Sequence, residues 1–286
     1  MRFIVSGIVL VLLFSCDADN RQALIGGGYG IGKDIDGKRE GLWKLFYDDS
    51  TLKAEGLFKN DLAEGGWHFW YPNGNLQEAS EWYEGVPHGK IICYHENGQI
   101  KSTGLYIMDK RTGLWDWYDE NGNKITSGRY ASDKREGEWL WWYANGQLKE
   151  WSNFKDSLLT GWSEKWFDNG AKSSEGMFVS GQKEGEWKTW YPTGQLESVS
   201  QWLMGYLDGP SLTYFSNGNK KVEGNYVKDL PNGNFTWYYE NGNKSSEGNY
   251  FAGKENGTFQ HYKEDGTFDT ELYFKNGYQI SEPDEE

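Results

Sequence analysis

The chain has 286 residues, a formal net charge of −14 and a mean hydropathy of −0.82. This acidic balance argues against binding to nucleic acid or to anionic lipid headgroups, because both need an excess of Lys and Arg. Two cysteines and four histidines cannot build a disulfide framework or an evident zinc site. Aromatic residues make up 17% of the chain beside 38 glycines and six prolines, which is typical of many short strands and tight turns.

The N-terminus resembles a bacterial lipoprotein signal. Arg2 precedes an apolar run over residues 3–14 that is too short for a permanent membrane span. The ending LFSC resembles a lipobox, which implies cleavage before Cys16 and lipid attachment to it; an ordinary cleaved signal with an incidental cysteine is the alternative. We predict a signal peptide over residues 1–15 and a lipidated Cys16 with a flexible tether over residues 16–36. The prediction places the protein in the bacterial cell envelope as an outer-membrane lipoprotein, and the acidic residues after Cys16 are similar to tags for the cell surface.

A glycine recurs every 24 residues, without insertion or deletion, through most of the chain. We call this glycine repeat position 0 and name each repeat by it: Gly41, Gly65, Gly89, Gly113, Gly137, Gly161, Gly185, Gly209, Gly233 and Gly257. Positions 5 and 17 are aromatic in all ten repeats, position 9 is glycine in nine, with Ser50 the exception, and position 8 is asparagine in seven. A period this regular predicts a repeat architecture.

Each repeat has the pattern of a β-hairpin. Asn-Gly between two alternating apolar runs predicts a two-residue type I′ turn at positions 8 and 9, strands at roughly positions 1–6 and 11–17, and a six-residue return loop. The repeat-position numbers of two residues that face each other then add up to 17. The frequent rings at position 2 therefore face the frequent glycines at position 15 of the same repeat, and the rings at position 17 lie over the glycines at position 0. Such pairing is aromatic rescue of strand glycines. Ser163 and Ser211 interrupt the position-2 rings, so their repeats should be weaker.

The predicted fold class is all-β. Ten hairpins without room for a helix between strands give an elongated antiparallel β-hairpin repeat array in a single twisted or coiled sheet. We assign this array to residues 37–280 and an acidic tail to residues 281–286.

Two stretches carry a resemblance to the MORN family. Its motif runs roughly Tyr-x-Gly-x-Trp-x-x-Gly-x-x-His-Gly-x-Gly; residues 176–185, GMFVSGQKEG, follow it with Phe for Trp and Glu for His, and residues 82–89, WYEGVPHG, keep Trp and His. The chain departs from the motif afterwards, where Trp187 or Ile91 stands in place of the final glycine. The recurrent aromatic-x-Asn-Gly tract marks the variant form, over residues 41–280.

The resemblance implies stacked hairpins and binding to partners. Bacterial chains of this type are often named YwqK-family antitoxins, although a lipidated, exported chain suits a cytoplasmic antitoxin poorly. Eukaryotic relatives are linked to membranes, lipids and protein scaffolding, and the acidic balance of this chain weakens the lipid-headgroup interpretation.

No pattern in the sequence indicates catalysis. The four histidines fall at different repeat positions: His68, His88, His95 and His261. Glutamates recur at position 14, but equivalent positions lie roughly 9.6 Å apart, too far for shared metal coordination. Cys93, at position 4, is interpreted as a small packed residue. We therefore predict no enzyme activity, no cofactor and no metal.

The aromatic stripe at position 5 is the candidate binding site. Strand alternation sets it on the opposite face from positions 2 and 4, among mostly polar neighbours. The eight candidate residues are Trp70, Tyr94, Tyr118, Trp142, Trp166, Trp190, Tyr214 and Tyr238. Two interpretations remain open: a binding ladder, with its densest tryptophans at 142, 166 and 190, or the concave core of a coiled sheet.

Three functions remain open on the sequence alone. The leading prediction is a non-catalytic protein-interaction scaffold on a membrane-anchored bacterial lipoprotein. The alternatives are a carbohydrate-binding module, for a cell-surface glycan, that uses the aromatic ladder, and an antitoxin-like protein that neutralises a partner. Membrane contact is predicted only through the N-terminal lipid, and nucleic acid is excluded as a partner. Sugar binding needs flat exposed rings, so the burial of position 5 separates the first two functions.

Overall fold

The computed structural model describes residues 28–282, so the predicted signal peptide and Cys16 lie outside the described residues. These residues divide into two compact units, one ending at Gly146 and one beginning at Gln147. The described residues of both units contain strands and turns but no helix. The prediction of an all-β hairpin repeat array is confirmed.

The first unit is an antiparallel meander in which each strand pairs with the next along the chain. Its strands are β1 (Tyr29–Ile35), β2 (Lys38–Phe46), β3 (Leu52–Lys59), β4 (Leu62–Trp70), β5 (Leu76–Tyr83), β6 (Val86–Tyr94), β7 (Ile100–Ile107), β8 (Lys110–Tyr118), β9 (Lys124–Ala131) and β10 (Lys134–Trp142).

The second unit continues the same pattern, with one strand split in two. Its strands are β11 (Leu148–Lys155), β12 (Leu158–Trp166), β13 (Lys172–Val179), β14 (Gln182–Trp190), β15 (Leu196–Leu203), β16 (Tyr206–Tyr214), β17 (Lys220–Val227), β18 (Leu230–Pro231), β19 (Gly233–Tyr238), β20 (Lys244–Phe251), β21 (Lys254–Tyr262), β22 (Phe268–Lys275) and β23 (Tyr278–Ile280). Both β18 and β19 pair with β17.

The predicted tether over residues 16–36 is wrong at its C-terminal end, because Tyr29–Ile35 forms β1 and pairs with β2. This strand is the second half of a preceding repeat. Its Gly32 lies under Trp43, where an added Cβ would be 2.3 Å from the indole. The indole Nε1 of Trp43 donates to the carbonyl of Lys33 at 3.1 Å.

The prediction of type I′ turns at positions 8 and 9 is also wrong. At those positions only position 9 has a positive φ, for example Gly74 at 86°. The N–H of Gly74 donates to the carbonyl of Tyr71 at 2.9 Å, and the N–H of Tyr71 donates to the carbonyl of Asn75 at 2.9 Å. This is a three-residue loop, a type I turn followed by a left-handed residue, which is why position 9 is glycine.

The two-residue turns lie at the other end of each hairpin, where the sequence predicts a six-residue loop. Positions 19 and 20 both have positive φ, as at Asn60 (52°) and Asp61 (69°), which defines type I′. The side chain at position 23 of a repeat caps the next such turn: Glu184 Oε2 accepts from the N–H of Met204 at 2.9 Å. His88 Nδ1 accepts from the N–H of Met108 at 3.3 Å, so this histidine has a structural role.

The predicted pairing holds for positions 0 to 4 although the turn differs. Gly41 faces Phe58 and Leu45 faces Ala54, so opposite positions sum to 17. Nearer the turn Phe46 faces Leu52, and Lys53 is left over as a bulge. A three-residue loop with one bulged residue therefore gives the same register as a two-residue loop without a bulge.

The position-0 glycine is required by its own backbone. Its φ lies between 66° and 126° in all ten repeats. The expected cover by a position-17 ring is wrong, because a Cβ added at Gly41, Gly113, Gly137 or Gly185 would meet no atom within 4 Å. The glycine instead begins a bulge: Leu57 pairs with Glu64 and Gly56 with Trp67, so two residues lie unpaired between them.

Aromatic rescue of the position-15 glycines is present, but the ring comes from the following repeat. A Cβ on Gly56 would be 2.2 Å from the indole of Trp67, not that of Trp43. Besides Gly32 and Trp43, six pairs, each eleven residues apart, are Gly56 and Trp67, Gly104 and Trp115, Gly128 and Trp139, Gly176 and Trp187, Gly224 and Phe235, and Gly248 and Phe259. Where position 15 is serine the following position 2 carries no ring: Ser80 precedes Ile91, Ser152 precedes Ser163, and Ser200 precedes Ser211.

These pairs form the buried face of each unit. We call it the ring face, the side that carries positions 2, 4, 13, 15 and 17, such as Trp115, Trp117 and Tyr130. Position-17 rings meet position-2 rings edge to face, with centroids 4.9 Å apart for Phe178 and Trp187. Such contacts suit the aromatic quadrupole and replace the aliphatic core that the sequence lacks.

Candidate functional site

The predicted ladder residues lie on the opposite face, which we call the ladder face and which carries positions 3, 5, 14 and 16. All eight are half-buried: Trp70, Tyr94, Tyr118, Trp142, Trp166, Trp190, Tyr214 and Tyr238. Of the three densest tryptophans, Trp142 belongs to the first unit, whereas Trp166 and Trp190 belong to the second. Their role in binding stays a prediction.

Charged side chains of the preceding repeat partly cover the ladder rings. Lys220 Nζ bonds Glu223 Oε2 at 2.7 Å and lies 5.9 Å from the ring centroid of Tyr238, whose hydroxyl donates to Glu223 Oε1. The next repeat has the same arrangement, with the hydroxyl of Tyr262 2.9 Å from Glu247. Positions 11, 14 and the following position 5 therefore form a recurring network of a lysine, a glutamate and a ring.

The network also sets the electrostatics of the ladder face. Burial, followed by the hydrogen bond to Glu223, raises the pKa of Tyr238 to about 12. Hydrogen bonds from Lys220 and then from Tyr238 lower the pKa of Glu223. The tyrosine is therefore neutral and the carboxylate ionised at neutral pH, which keeps the hydroxyl as the donor and fixes the ring edge.

The ring face of the first unit has an open groove of about 320 Å³. We call it the first-unit groove. The lining residues used in the argument below are Tyr106, Arg111, Trp117, Tyr130 and Trp139. Half-buried Trp117 is central, with ring centroids 6.1 Å from Tyr130 and 5.7 Å from Trp139. The groove thus leaves part of the Trp117 ring accessible to solvent, beside the buried rings of Tyr130 and Trp139.

An arginine is held rigidly at the edge of this groove. The guanidinium carbon of Arg111 lies 4.1 Å from the ring centroid of Tyr130, and Nη1 donates to the tyrosine hydroxyl at 3.0 Å. Its Nε donates to Asp133 Oδ1 at 3.0 Å, in the type I′ turn of the next hairpin. Burial raises the pKa of the neighbouring Tyr106 to about 12, so that phenol stays neutral.

The second unit has a smaller hollow of about 240 Å³ on its ring face. Its lining includes Ser211, Thr213, Tyr226, Trp237 and Tyr250. We call it the second-unit hollow.

Sequence reasoning missed these cavities because it interpreted the position-2 rings only as cover for strand glycines. The signal that could have found the groove is the tryptophan at position 4 in three repeats, Trp117, Trp141 and Trp237, in addition to the ring at position 2. A strand face with two large rings on alternate positions has more aromatic surface than the glycines of the neighbouring strand can cover.

The described residues form no cluster of metal ligands. Residues 28–282 contain no group of three or more His, Cys, Asp or Glu side chains that could hold a metal ion. His95 Nε2 lies 2.9 Å from the carbonyl of Tyr118, a contact between turns. Cys93 is fully buried. Within the described chain no helix is long and apolar enough to cross a membrane.

Family comparison finds this repeat in six segments. They are residues 39–60, 87–108, 135–156, 183–203, 207–228 and 231–251. Each matches the MORN repeat variant. Each match begins two residues before a position-0 glycine, so the MORN repeat variant and the structural hairpin share one frame. MORN repeats are generally associated with protein and membrane interaction, and the family is typically non-catalytic.

Comparison with solved structures gives only distant matches. Alternansucrase in complex with isomaltononaose is 13% identical with a TM-score of 0.22, over 88% of this chain and 18% of that one. The Tc holotoxin pore of Photorhabdus luminescens is 11% identical with a TM-score of 0.21, over 84% of this chain and 14% of that one. This chain therefore spans less than a fifth of either structure. Comparison with curated protein sequences gives no match.

Proposed function

We propose that this protein is a non-catalytic scaffold that binds a protein partner through its ring face. The observation that carries the proposal is the first-unit groove, where half-buried Trp117 and the immobilised Arg111 lie beside the buried ring of Tyr130. Tryptophan, tyrosine and arginine are the residues that most often dominate protein interfaces, because they desolvate large areas at a low entropic cost. An arginine already fixed by Asp133 loses little further freedom on binding.

The carbohydrate alternative has less support. Sugar stacking needs flat, exposed rings, and all eight ladder residues are half-buried. Lysine side chains also lie over some of them, as Lys172 does at 5.8 Å from the ring centroid of Trp190. An antitoxin-like role is a special case of partner binding, so a test of partner binding covers it.

Charge indicates the class of partner. The net charge of −14 favours a basic or neutral protein, since an acidic partner would be repelled. Long-range attraction of this kind is screened by salt, so capture should weaken as ionic strength rises.

The test is quantitative capture from bacterial envelope extracts with the immobilised chain. Trp117→Thr removes the half-buried indole, and the repeat already uses threonine at this position in Thr189 and Thr213. The comparison variant Trp142→Ala/Trp166→Ala/Trp190→Ala disrupts the ladder face instead. We expect Trp117→Thr to lower capture of the main partner at least tenfold, while its circular dichroism matches the wild type.

Each variant has an outcome that counts against the proposal. Loss of capture only in the ladder variant would move the site to the ladder face. Capture of oligosaccharide but no protein would favour the carbohydrate module. Absence of any specific partner across low and moderate salt would overturn the scaffold function.

We further propose that the scaffold is anchored as a lipoprotein of the outer membrane through Cys16. The support is the lipobox-like LFSC sequence alone. Metabolic labelling with a fatty acid should mark the wild type, and Cys16→Ala should lose the label and leave the membrane fraction. If Cys16→Ala still sediments with membranes, the anchor lies elsewhere.

A further inference from the structure

The second-unit hollow lies where the ring face lacks its usual rings. The Gly209 repeat has Ser211 at position 2 and Thr213 at position 4, and it alone among the ten has small side chains at both. The following repeat restores the rings with Phe235 and Trp237, stacked at a centroid distance of 5.8 Å. The hollow is therefore the place where the ring face has small side chains at both positions.

The walls of this hollow present aromatic faces and edges. Tyr226 meets Phe235 edge to face at 5.3 Å, and Tyr250 lies 6.1 Å from Trp237. Phe235 is buried, whereas Tyr226, Trp237 and Tyr250 are half-buried and so are reachable from solvent. A further ring placed beside them would continue the edge-to-face pattern that packs the rest of the ring face.

The chemistry of the lining favours a neutral aromatic group over a sugar. None of the described residues that line the hollow carries a formal charge. The hydroxyl of Thr213 is directed to the carbonyl of Val222 at 3.4 Å, and four of the eight lining residues are aromatic. Dry apolar cavities of roughly 150 Å³ are known to bind benzene-sized rings, so a hollow of about 240 Å³ can accept one.

We propose that the second-unit hollow is a binding site for one aromatic side chain of a protein partner. The inserted ring takes the place that a position-4 tryptophan fills in the Gly113 repeat. This proposal rests on the proposed scaffold function, which supplies the protein partner that carries the aromatic side chain. Binding of a ring to the hollow can still be tested without that partner.

The test fills the hollow with a larger side chain of the protein itself. Thr213→Trp with Val222→Thr recreates the facing pair Trp117 and Thr126 of the first unit. The matched control is His261→Trp, which adds an indole at the same repeat position two repeats later, facing Thr270 and outside the hollow. Circular dichroism of all three proteins establishes that each is folded.

The probe is N-acetyl-phenylalanine amide with a photoreactive diazirine on its ring. After irradiation of the full chain, mass spectrometry locates the cross-linked residues. We expect cross-links in β17 and β20, which carry Tyr226 and Tyr250. The signal should fall at least tenfold in the filled variant, persist in His261→Trp, and be displaced by N-acetyl-tryptophan amide but not by cellobiose.

Several results would overturn the site. They are equal labelling of β17 and β20 in the filled variant, displacement by cellobiose as effective as by the tryptophan amide, or labelling no stronger than with an aliphatic leucine analogue. The scaffold function is judged separately: a partner captured equally by the wild type and the filled variant refutes the site alone. Ring binding without any captured partner refutes the scaffold alone.

Discussion

At the scale of single residues, the defining contact joins a ring to a glycine in the neighbouring hairpin. Gly176 can have no side chain because the indole of Trp187 occupies the space, with Cδ2 2.2 Å from a hypothetical Cβ. The indole Nε1 also donates to the carbonyl of Met177 at 3.1 Å, so its polar atom is satisfied in the buried site. Sterics and hydrogen bonding thus fix both members of the pair together.

A double substitution should reveal this coupling. Gly176→Ser should reduce the stability of β13 and β14 by about 3 kcal/mol through overpacking, and Trp187→Ser by about 3–5 kcal/mol through lost burial. Their combination copies the natural Ser152 and Ser163 pair and should cost less than the sum by about 1–3 kcal/mol. Amide hydrogen exchange measures the three values. Gly194→Ser with Trp187→Ser is the additive control, since a Cβ on Gly194 meets no atom within 4 Å.

A second residue-scale prediction concerns Glu78, which is 4% exposed. Burial raises its pKa from 4.5 to about 7, against a smaller opposing effect of the hydrogen bond with Ser80. Because the folded state holds this proton more tightly than the unfolded state, stability is highest below pH 4.5 and falls as pH rises towards 7. The loss should be on the order of 3 kcal/mol.

Glu78→Gln should remove this dependence. Hydrogen exchange of β5 and β6 at pH 5 and pH 8 compares the variant with the wild type. We expect the wild type to lose protection at pH 8 relative to the variant, after correction for intrinsic exchange rates. A wild type that gains protection relative to the variant as pH rises would show that the charged carboxylate is stabilised in the fold.

At the scale of elements, the two turn types divide the stabilising side chains between them. The loops at positions 7–9 are linked from hairpin to hairpin: the hydroxyl of Tyr47 donates to the carbonyl of Trp70 at 2.8 Å, and Asn97 Nδ2 to that of Glu120 at 2.7 Å. The type I′ turns are linked by carboxylates, as Asp61 accepts from Arg39 at 2.9 Å. Unpaired backbone groups therefore explain why Tyr and Asn recur beside the three-residue loops. They also explain why Glu and Asp recur beside the type I′ turns.

The three-residue loops provide a test of backbone strain. Ser50 is the only position-9 residue among the ten that is not glycine, and its φ is 69°. Ser50→Gly should stabilise the first hairpin by about 1 kcal/mol, because the left-handed conformation costs other residues about 1–2 kcal/mol. Gly194→Ser should destabilise its own hairpin by a similar amount, with no steric clash to confuse the result. Thermal unfolding of both variants measures the effect, and a destabilised Ser50→Gly would contradict it.

Sequence reasoning predicts the strands and their register well, for a partly fortuitous reason. The predicted turn type at Asn73 and Gly74 is wrong. The bulge that follows each three-residue loop nevertheless restores the predicted register, in which facing repeat positions add up to 17. That the ring of Trp67 rather than that of Trp43 covers Gly56 could have been found from the eleven-residue spacing. The half-burial of the ladder residues could not have been found from the sequence, because it depends on the positions of lysine and glutamate side chains in a neighbouring hairpin.

At the scale of the whole molecule, each unit is held together by contacts between consecutive strands. Stability in such an array accumulates from one repeat to the next, so a complete repeat can be removed if the new neighbours fit. Fit depends on the ring and glycine pairing. This gives a prediction that compares two deletions of equal length within the second unit.

Deletion of residues 229–252 removes 24 residues and brings Phe259 over Gly224, which preserves a ring over a glycine. Deletion of residues 205–228 also removes 24 residues but brings Phe235 over Ser200. Each deletion connects position 19 of one type I′ turn to position 20 of the next such turn. The two-residue turn and the strand register are therefore kept. We expect the first protein to unfold at the higher temperature by at least about 5 °C, as a difference of several kcal/mol implies. Equal melting temperatures would show that the pairing contributes little.

The displacement of each ring from its glycine also limits how such a chain can lengthen during evolution. A repeat with a ring at position 2 and serine at position 15, such as the Gly65 repeat, cannot be copied singly, because the ring of the copy would meet Ser80. Copied with its successor, as a block of 48 residues, it leaves every pair intact. Three such blocks are present, beginning at Gly65, Gly137 and Gly185. The 24-residue repeat is thus the unit of folding, while for these repeats the unit of inheritance is two hairpins long.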